Sequence, residues 1–584
     1  MNVTRLSVFF ALMLAVCCVP LVSTADTIDD NNADEVIGDG SSESGGSEYA
    51  GMSAAEINNA AGTALKSGDL PTAVRAYQAA MTDYPDDPVA YYNMGYIFID
   101  YLVDTTNGIP LLEKAVELDP ENADSWFYLG TAYILIDDKE NAYNAFQQAV
   151  DINPLNDAAW YFLGMTAESL GNVDEALETF EEALMINPAN PLVHQSSGVI
   201  FSVRGEHEKA LESLSKADPE SLIAQFYIGA SNLELGNSDA ALKAFERVIE
   251  MEPLDSLEEG FITTSLYNIG VIKSAAGETG DAISILIDAA DKSDSPANSL
   301  ILLGRTYLDE ENYSEAITTL NKAIEADPEN GAAYFYLGNA LADTGDEEGA
   351  FNAFTNALTY DPDNSMAWEN LGIILFQAEN YIDAAPAFAD AVRLNPENGN
   401  AWSYFARALW YDGDEEGATE AFNRAFELVE DPEAELLNDY GAALNDIQRY
   451  DEALDAFNKA IELDGTVPDY WFNKGNVLNN LGEFEQALDA YQEAVSLEPA
   501  PLGYNHIGLL YMRLQDYENA LKAFESVLEL NDNFSDVWTN KAQALYHLER
   551  YDEALKAIDS ALAIEDFAPA NELKGIIEEH LSSK

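Results

Sequence analysis

Cysteine and histidine are scarce in this chain. It contains two cysteines, Cys17 and Cys18, and both lie within the first 25 residues. If that segment is removed, the remaining chain has no thiol, and therefore neither a disulfide nor a cysteine-ligated metal site. The five histidines are scattered without a short metal-ligand spacing, and the sequence shows neither a Gly-x-Ser-x-Gly motif nor a glycine-rich loop after a strand. These absences predict a non-catalytic protein that has no cofactor.

Basic residues are also few. The sequence has 27 Lys and Arg against 105 Asp and Glu, which gives a formal net charge of -78. Such a field repels nucleic-acid phosphates and anionic lipid surfaces, so nucleic acid is excluded as a partner. Solvated outer helix faces account for most of the carboxylates, but an ordinary surface mixes both signs of charge. The imbalance favours basic partners, cations or a high-salt environment.

The one long apolar run lies at the start of the chain. Residues 1–25 carry a single charge at Arg5, an apolar run over Leu6–Val22, and small residues over Ser23–Ala25. This layout predicts a secretory signal peptide, with an uncleaved membrane anchor as the alternative. Residues 26–53 are acidic, rich in Ser and Gly, and lack an apolar period, which predicts a disordered linker. The expected location is secreted or at the cell surface, or anchored to the membrane if the leader stays.

A repeat of about 34 residues fills most of the chain after the linker. Its clearest marker is an alanine, as at Ala142, Ala176 and Ala210, and a glycine commonly stands twelve residues earlier, as at Gly130 and Gly164. A period of this size indicates a solenoid, because one unit is too small to bury its own apolar face and must stack on its neighbours.

The repeat at residues 157–190 shows the secondary structure. Trp160, Leu163, Gly164 and Ala167 form one helical stripe, and Gly171 interrupts it. A second stripe runs from residue 176 to residue 184, and a proline closes the unit. The motif of an aromatic, Leu-Gly, Ala, Phe, Ala and Pro resembles the tetratricopeptide repeat. The resemblance implies an all-α fold, an α-solenoid of tandem helix-turn-helix repeats that forms a right-handed superhelix.

The repeats set the boundaries within the chain. About fifteen units occupy residues 54–568, and residues 569–584 are expected to form a C-terminal capping helix. The marker spacing changes between Ala210, Ala241 and Ala282, so a break in register is expected near residues 218–262. Either a bend in the array or a tolerated loop insertion would explain it.

The resemblance places a ligand-binding groove on the first helices, at the fifth and sixth places of each repeat. Aromatic side chains offer broad contact area there, and asparagines can pair with an extended peptide. The candidate groove residues are Tyr92, Asn93, Phe127, Tyr128, Tyr161, Phe162, Phe226, Tyr227, Tyr267, Asn268, Phe335, Tyr336, Asn339, Asn370, Tyr404, Phe472, Asn473 and Asn540. Asn339 and Asn370 also match two places at which one subtype of the family clamps a C-terminal carboxylate. The lysines that this clamp requires are missing, which speaks against it.

Two further kinds of site are expected to be minor. Acidic turns such as residues 412–416 and 361–364 allow weak cation binding but lack the spacing of an EF-hand loop. Asn312 and Asn533 begin possible glycosylation sequons.

The favoured function is a non-catalytic scaffold on the exported side of the cell envelope that binds proteins or peptides with basic segments. The alternative is a structural or adhesive envelope protein that assembles through contacts between arrays.

Overall fold

The computed structural model describes residues 48–582, and those residues contain 31 α-helices and no strand. The predicted leader and most of the predicted linker lie outside the described residues. The all-α prediction is confirmed. The helices are Ala54–Lys66 (α1), Leu70–Asp83 (α2), Pro88–Tyr96 (α3), Thr105–Leu118 (α4), Ala123–Leu135 (α5), Lys139–Ile152 (α6), Asp157–Ser169 (α7), Val173–Ile186 (α8), Pro191–Val203 (α9), His207–Leu214 (α10), Leu222–Glu234 (α11), Ser238–Glu250 (α12), Ser256–Ala275 (α13), Thr279–Lys292 (α14), Ala297–Asp309 (α15), Tyr313–Ala326 (α16), Gly331–Asp343 (α17), Glu347–Tyr360 (α18), Ser365–Gln377 (α19), Tyr381–Leu394 (α20), Gly399–Asp412 (α21), Glu415–Leu428 (α22), Ala434–Asp446 (α23), Tyr450–Leu463 (α24), Pro468–Leu481 (α25), Phe484–Leu497 (α26), Pro501–Arg513 (α27), Tyr517–Leu530 (α28), Ser535–His547 (α29), Tyr551–Ile564 (α30) and Ala568–Ser582 (α31).

The helices form two compact units, and the boundary between them falls after Thr306, inside α15. Within each unit, an odd-numbered helix packs most extensively on the even-numbered helix that comes after it. The even-numbered helix also packs on the next odd-numbered one, so the pairs stack in chain order. We call the odd-numbered helices first helices and the even-numbered helices second helices.

A close approach between the two helices of a pair explains the repeated glycine and alanine. A Cβ atom added at Gly130 would lie 2.8 Å from the ring of Phe146, and one at Gly475 would lie 2.7 Å from the ring of Tyr491. The ring stands on the second helix sixteen residues after the glycine, and both rings are fully buried. The marker alanines, such as Ala142 and Ala487, are also fully buried. A larger residue at the glycine would therefore displace the ring that fills the pair.

Most tryptophans bind the turn that precedes their own repeat. The indole Nε1 of Trp160 donates to the carbonyl oxygen of Pro154 at 3.1 Å, and that side chain is only half-buried. His194 Nε2 lies 2.9 Å from the Pro188 oxygen at the equivalent place. The same bond, to a carbonyl six residues earlier, recurs at Trp126, Trp368, Trp402, Trp471 and Trp538. Tryptophan at this place thus fixes the turn between repeats as well as filling space.

The turns inside the pairs confirm the helix boundary predicted at Gly171, and glycine ends the first helix in the same way in other repeats. Gly171, Gly236, Gly345 and Gly482 have φ between 76° and 87°, in the left-handed region that glycine adopts without a steric penalty. Each of them stands between a first helix and its second helix.

At the predicted break in register, the lengths of two helices differ from those elsewhere in the array. Second helix α10 has 8 residues, whereas first helix α13 has 20. The segment expected to be an insertion is mostly helical, because the Asp255 side chain accepts from the backbone N–H groups of Leu257 and Glu258 and starts α13 early. Phe261 on the added turns packs on Phe226 of α11 with a ring distance of 4.5 Å. Contacts between consecutive first helices are most extensive between α9 and α11, on either side of the short helix.

The described ends pack on the array. Tyr49 is 7% exposed, and the Tyr84 hydroxyl donates to the Met52 oxygen at 2.7 Å, so packed structure begins before the predicted end of the linker. Helix α31 packs on α29 and α30 and buries Ala570 and Ile577. It covers the apolar side of the last pair, as a capping helix does.

Candidate functional site

The first helices lie closest to one another and form the inner side of each unit. Consecutive first helices are in contact at several places in both units, whereas no two consecutive second helices in residues 48–582 share a comparable contact. We call the surface that the first helices present the first-helix face. Groups on this face that come from neighbouring repeats lie close enough together to contact one ligand.

The predicted groove aromatics all lie on first helices, and most are half-buried. Tyr161 and Phe335 are 2% and 7% exposed, so these two rings cannot anchor a ligand. The fifth-place ring turns toward its own second helix. Tyr161 stacks on Phe180 at 5.9 Å, and Phe335 lies 6.2 Å from Phe354.

The sixth-place ring packs on the second helix of the preceding repeat. Phe162 stacks on Phe146 at 5.5 Å, and Tyr404 stacks on Phe388 at 5.6 Å. A large part of the aromatic pattern therefore joins repeats. Of these rings, a ligand on the first-helix face could contact only the exposed edges of the half-buried ones. Half-buried aromatics of the predicted set are Tyr92, Phe127, Tyr128, Phe162, Phe226, Tyr227, Tyr267, Tyr336, Tyr404 and Phe472.

The predicted asparagines bridge neighbouring first helices. Asn370 Nδ2 donates to Asn339 Oδ1 at 2.8 Å, and Asn473 Nδ2 donates to Asn438 Oδ1 at 3.0 Å. Each bridge uses one donor and one acceptor, and each amide carries further hydrogen-bonding capacity. Asn93 donates to the backbone oxygen of its own helix at Val89. The remaining predicted asparagines, Asn268 and Asn540, are half-buried on α13 and α29.

An arginine on the first-helix face, which sequence reasoning missed, lies between two carboxylates of the next repeat. Arg407 Nη2 is 2.7 Å from Glu435 Oε1, and Arg407 Nε is 2.8 Å from Asp439 Oδ2. The guanidinium also lies over the ring of Phe376 at 5.3 Å. Burial raises the pKa of Asp439 to about 6, although Arg407 acts in the opposite direction. The ion pair therefore offsets only part of the cost of burying the carboxylate.

A second missed residue is Glu168 on α7. Its carboxylate makes no hydrogen bond or ion pair with any residue of the described range, and burial raises its pKa to about 7. No sequence pattern marks it, because glutamate is common throughout the chain. It lies near the end of a first helix, and its side chain is half-buried.

Four tyrosines gather where α3 ends. A π-helical turn, Ile97–Tyr101, comes directly after α3 and adds a residue to the repeat, and such turns are frequent at functional sites. The Tyr96 ring lies 4.8 Å from the Tyr128 ring and 5.7 Å from the Tyr101 ring. Tyr92 lies 6.0 Å from Tyr128. We call Tyr92, Tyr96, Tyr101 and Tyr128 the tyrosine box.

Two carboxylates border the tyrosine box. Burial, together with the charges of Asp100 and Asp124, raises the pKa of Tyr128 to about 12. Both aspartates are exposed, and neither side chain makes a hydrogen bond or ion pair with the described part of the chain. The box therefore combines the faces of aromatic rings with negative charge that no nearby cation neutralises.

Other kinds of site find no support within residues 48–582. No three His, Cys, Asp or Glu side chains there converge as metal ligands would. None of the helices in that range combines the length and the apolar character needed to cross a bilayer. Asn312 and Asn533 are both exposed in turns, where their use as glycosylation sites remains a prediction.

Comparison with solved structures finds other repeat proteins at low similarity. The Cut9–Hcn1 hetero-tetramer of the APC/C matches at 17% identity over 90% of this chain and 96% of that chain, with a TM-score of 0.31. Yeast Tom70 matches at 18% identity over 79% and 96%, with a TM-score of 0.29. YrrB, described as a TPR protein with an unusual peptide-binding site, matches at 25% identity over 34% and 97%, with a TM-score of 0.30. No curated protein matches the sequence.

Protein-family models match most of the array. A tetratricopeptide repeat model matches residues 206–256, 301–354, 350–399, 375–435, 404–468 and 507–571, and a second one matches residues 468–500. A model of anaphase-promoting complex, cyclosome, subunit 3 matches residues 104–183. The tetratricopeptide repeat matches together span more than half of the chain, and they lie within the helical array that the structure shows. The chain belongs to the tetratricopeptide repeat family.

Proposed function

We propose that this protein is a non-catalytic scaffold, on the exported side of the cell envelope, that binds extended basic segments of partner proteins on its first-helix face. Proteins of the tetratricopeptide repeat family bind proteins or peptides, and no enzyme family is indicated for this chain. One observation carries the proposal. Half-buried rings, amides and carboxylates of successive repeats lie side by side on the first helices, as at Tyr336, Asn339 and Asn370.

Charge favours a basic partner. The whole chain has 105 acidic and 27 basic residues, so most carboxylates have no cation of the chain to pair with. An excess of one sign attracts the opposite charge over several ångströms and speeds association at low salt. A segment rich in Lys or Arg is thus the partner that this surface favours.

The exported location rests on the leader. Residues 1–25 have the composition of a secretory signal peptide, with an uncleaved anchor as the alternative. Mass spectrometry of the N-terminus of the protein recovered from its own envelope tests the proposal. A start near residue 26 supports export, and an intact first 25 residues in a soluble cell fraction contradicts it.

Binding can be tested by a pull-down from the envelope fraction, with a double variant of the first-helix face. Asn339→Ala with Asn370→Ala removes both amides of one bridge, so neither is left without its partner. The matched control is Asn352→Ala with Asn356→Ala, two exposed asparagines on second helix α18 of the same repeat. We expect the first variant to lose captured protein and the control to retain it. Equal capture by both variants would place binding elsewhere.

Sedimentation distinguishes the scaffold from the structural alternative. A scaffold should sediment as one species over a wide range of concentration. Assembly that grows with concentration would instead favour an envelope protein that works through contacts between arrays.

A further inference from the structure

The tyrosine box occupies the same repeat places as the ion-pair site of Arg407. In both, a ninth-place residue of one first helix lies against the sixth-place residue of the next first helix, and a carboxylate stands at the second place of that next helix. These are Tyr96, Asp124 and Tyr128 in the first unit, and Arg407, Glu435 and Asp439 in the second. The Arg407 guanidinium contacts both of its carboxylates at 2.7 and 2.8 Å and lies over the Phe376 ring. The Arg407 junction therefore shows that a guanidinium can contact a ring and two carboxylates at these repeat places.

The tyrosine box keeps a carboxylate at the second place, Asp124, and has another, Asp100, on the π-helical turn, but none of the equivalent places holds a basic residue. Arg407 stands on the ninth place, where the box has the ring of Tyr96. Asp100 and Asp124 border the rings closely enough to raise the pKa of Tyr128, and no Lys or Arg contributes to that shift. Neither carboxylate has a side-chain partner among the described residues. The rings and the charge are thus available to a cation from outside the chain.

We propose that the tyrosine box binds the guanidinium of an arginine side chain in an extended segment of a partner protein. This inference rests on the proposed function and assigns one of its contact points. The guanidinium stacks on a tyrosine face and donates to Asp100 and Asp124. Cation–π contact and charge-assisted hydrogen bonds then act on the same group.

The mixture of groups selects arginine over other cations. A quaternary ammonium binds ring faces but has no N–H group to donate, so both carboxylates would remain without a hydrogen bond. A divalent metal needs several oxygen ligands, and no such cluster exists among residues 48–582. A planar guanidinium can stack on a ring and hydrogen-bond at its edge at the same time.

The test uses two fluorescein-labelled peptides of glycine and serine that differ only in their central residue, arginine or citrulline. Citrulline keeps the shape of the side chain and removes its charge. Binding to the full chain is monitored by fluorescence anisotropy in about 0.15 M salt, where exposed charges more than about 8 Å apart are screened. We expect the arginine probe to bind about tenfold more tightly than the citrulline probe. Equal binding of the two probes to the wild-type chain overturns the inference.

Variants locate the binding. Asp100→Asn with Asp124→Asn removes two exposed charges, and Tyr128→Leu removes one ring of the box. The matched control is Glu178→Gln with Glu182→Gln, two exposed glutamates on second helix α8 that have no side-chain partner in the described range. We expect both box variants to lose most of the tenfold preference, while the control keeps it. Helicity of each variant, read by circular dichroism, shows that the fold is intact.

Two outcomes overturn the inference while leaving the proposed function standing. If the arginine probe binds the box variants and the control equally well, arginine is recognised elsewhere on the array. If tetramethylammonium displaces the arginine probe as readily as free arginine amide does, the rings act without the carboxylates. Failure of the proposed function shows separately, as envelope-fraction capture that does not depend on the Asn339 and Asn370 pair.

Discussion

Replacing Glu168 by glutamine should stabilise the protein at neutral and higher pH. Glu168 has no hydrogen bond or ion pair with the described residues, and burial alone raises its pKa to about 7 from a usual 4.5. Glu168 is half-buried, and its carboxylate is largely desolvated. A desolvated carboxylate is costly when it is ionised, because its charge loses hydration and gains no hydrogen bond or cation in exchange. Glutamine keeps the shape and removes the charge.

The magnitude comes from the shift in pKa. One pKa unit corresponds to about 1.4 kcal/mol, so a rise from about 4.5 to about 7 costs about 3 kcal/mol once Glu168 is ionised in the folded state. The folded carboxyl holds its proton more tightly than the unfolded one. The wild type therefore loses stability as pH rises from about 4.5 to about 7, and the loss is complete above that range. Below pH 4.5 the group is protonated in both states, and the loss disappears.

Urea unfolding of the wild type and of Glu168→Gln at about pH 4.5 and at about pH 8 measures the effect. We expect the variant to be more stable by up to about 3 kcal/mol at the higher pH and equal to the wild type at the lower pH. Glu178→Gln, on an exposed site of the same repeat, controls for the change in net charge. The reasoning fails if Glu168→Gln and Glu178→Gln behave alike at both pH values, or if Glu168→Gln destabilises the protein at pH 8.

Three more predictions concern stability. Arg407→Gln should cost about 3 kcal/mol in urea unfolding, because it leaves a buried carboxylate without its cation. The control Arg393→Gln, at an exposed ion pair, should cost less than about 0.5 kcal/mol, and equal costs would contradict the reasoning. Gly475→Ala pushes a methyl group into the Tyr491 ring and should lower stability by about 1–3 kcal/mol. Gly260→Ala, in a helix with open space around the Cβ, should raise stability by up to about 1 kcal/mol in the same assay. The melting temperature should rise between low salt and about 1 M salt, where the Debye length falls to about 3 Å, and a flat response would show that carboxylate repulsion is unimportant.

The repeat pattern predicted the helix pairs because the residues that form it contact one another within a single repeat. Gly130 and Phe146 lie sixteen residues apart on two helices joined by a short turn, so their spacing reflects the local geometry directly. The same holds for the buried alanine at each marker place. Such contacts leave a periodic trace in the sequence, since each pair repeats them with the same residue types.

The candidate site was harder to predict because it depends on the junction between repeats. The fifth and sixth places were assigned to a groove, but Phe335 turns into its own repeat and Phe162 packs on the preceding one. A sequence shows that an aromatic residue lies on a first helix, and it does not show how far the neighbouring helix covers the ring. Arg407 and Asp439 are 32 residues apart, and only the stacking of two repeats brings them together.

The residues added to two of the repeats also show what the sequence does not predict. The spacing from Ala241 to Ala282 indicates that this repeat has extra residues. In the structure these residues form the first turns of α13, and Asp255 caps that helix. At residues 97–101 one added residue becomes a π-helical turn and moves Tyr101 next to Tyr96. A change in spacing therefore locates an irregularity and leaves open whether a loop or a helix absorbs it.

Three junctions between first helices bring the same two repeat places together and differ in chemistry. The ninth place of one repeat meets the sixth place of the next as two rings at Tyr96 and Tyr128, as two amides at Asn339 and Asn370, and as an ion pair at Arg407. A ligand that extends along the first helices of the second unit would meet the amides of Asn339 and Asn370 and the ion pair of Arg407. Because all of these contacts are made by one continuous ligand segment, each contact can be weak while the segment as a whole binds tightly. For the proposed extended partner, the residues at these two places would then set which segment binds.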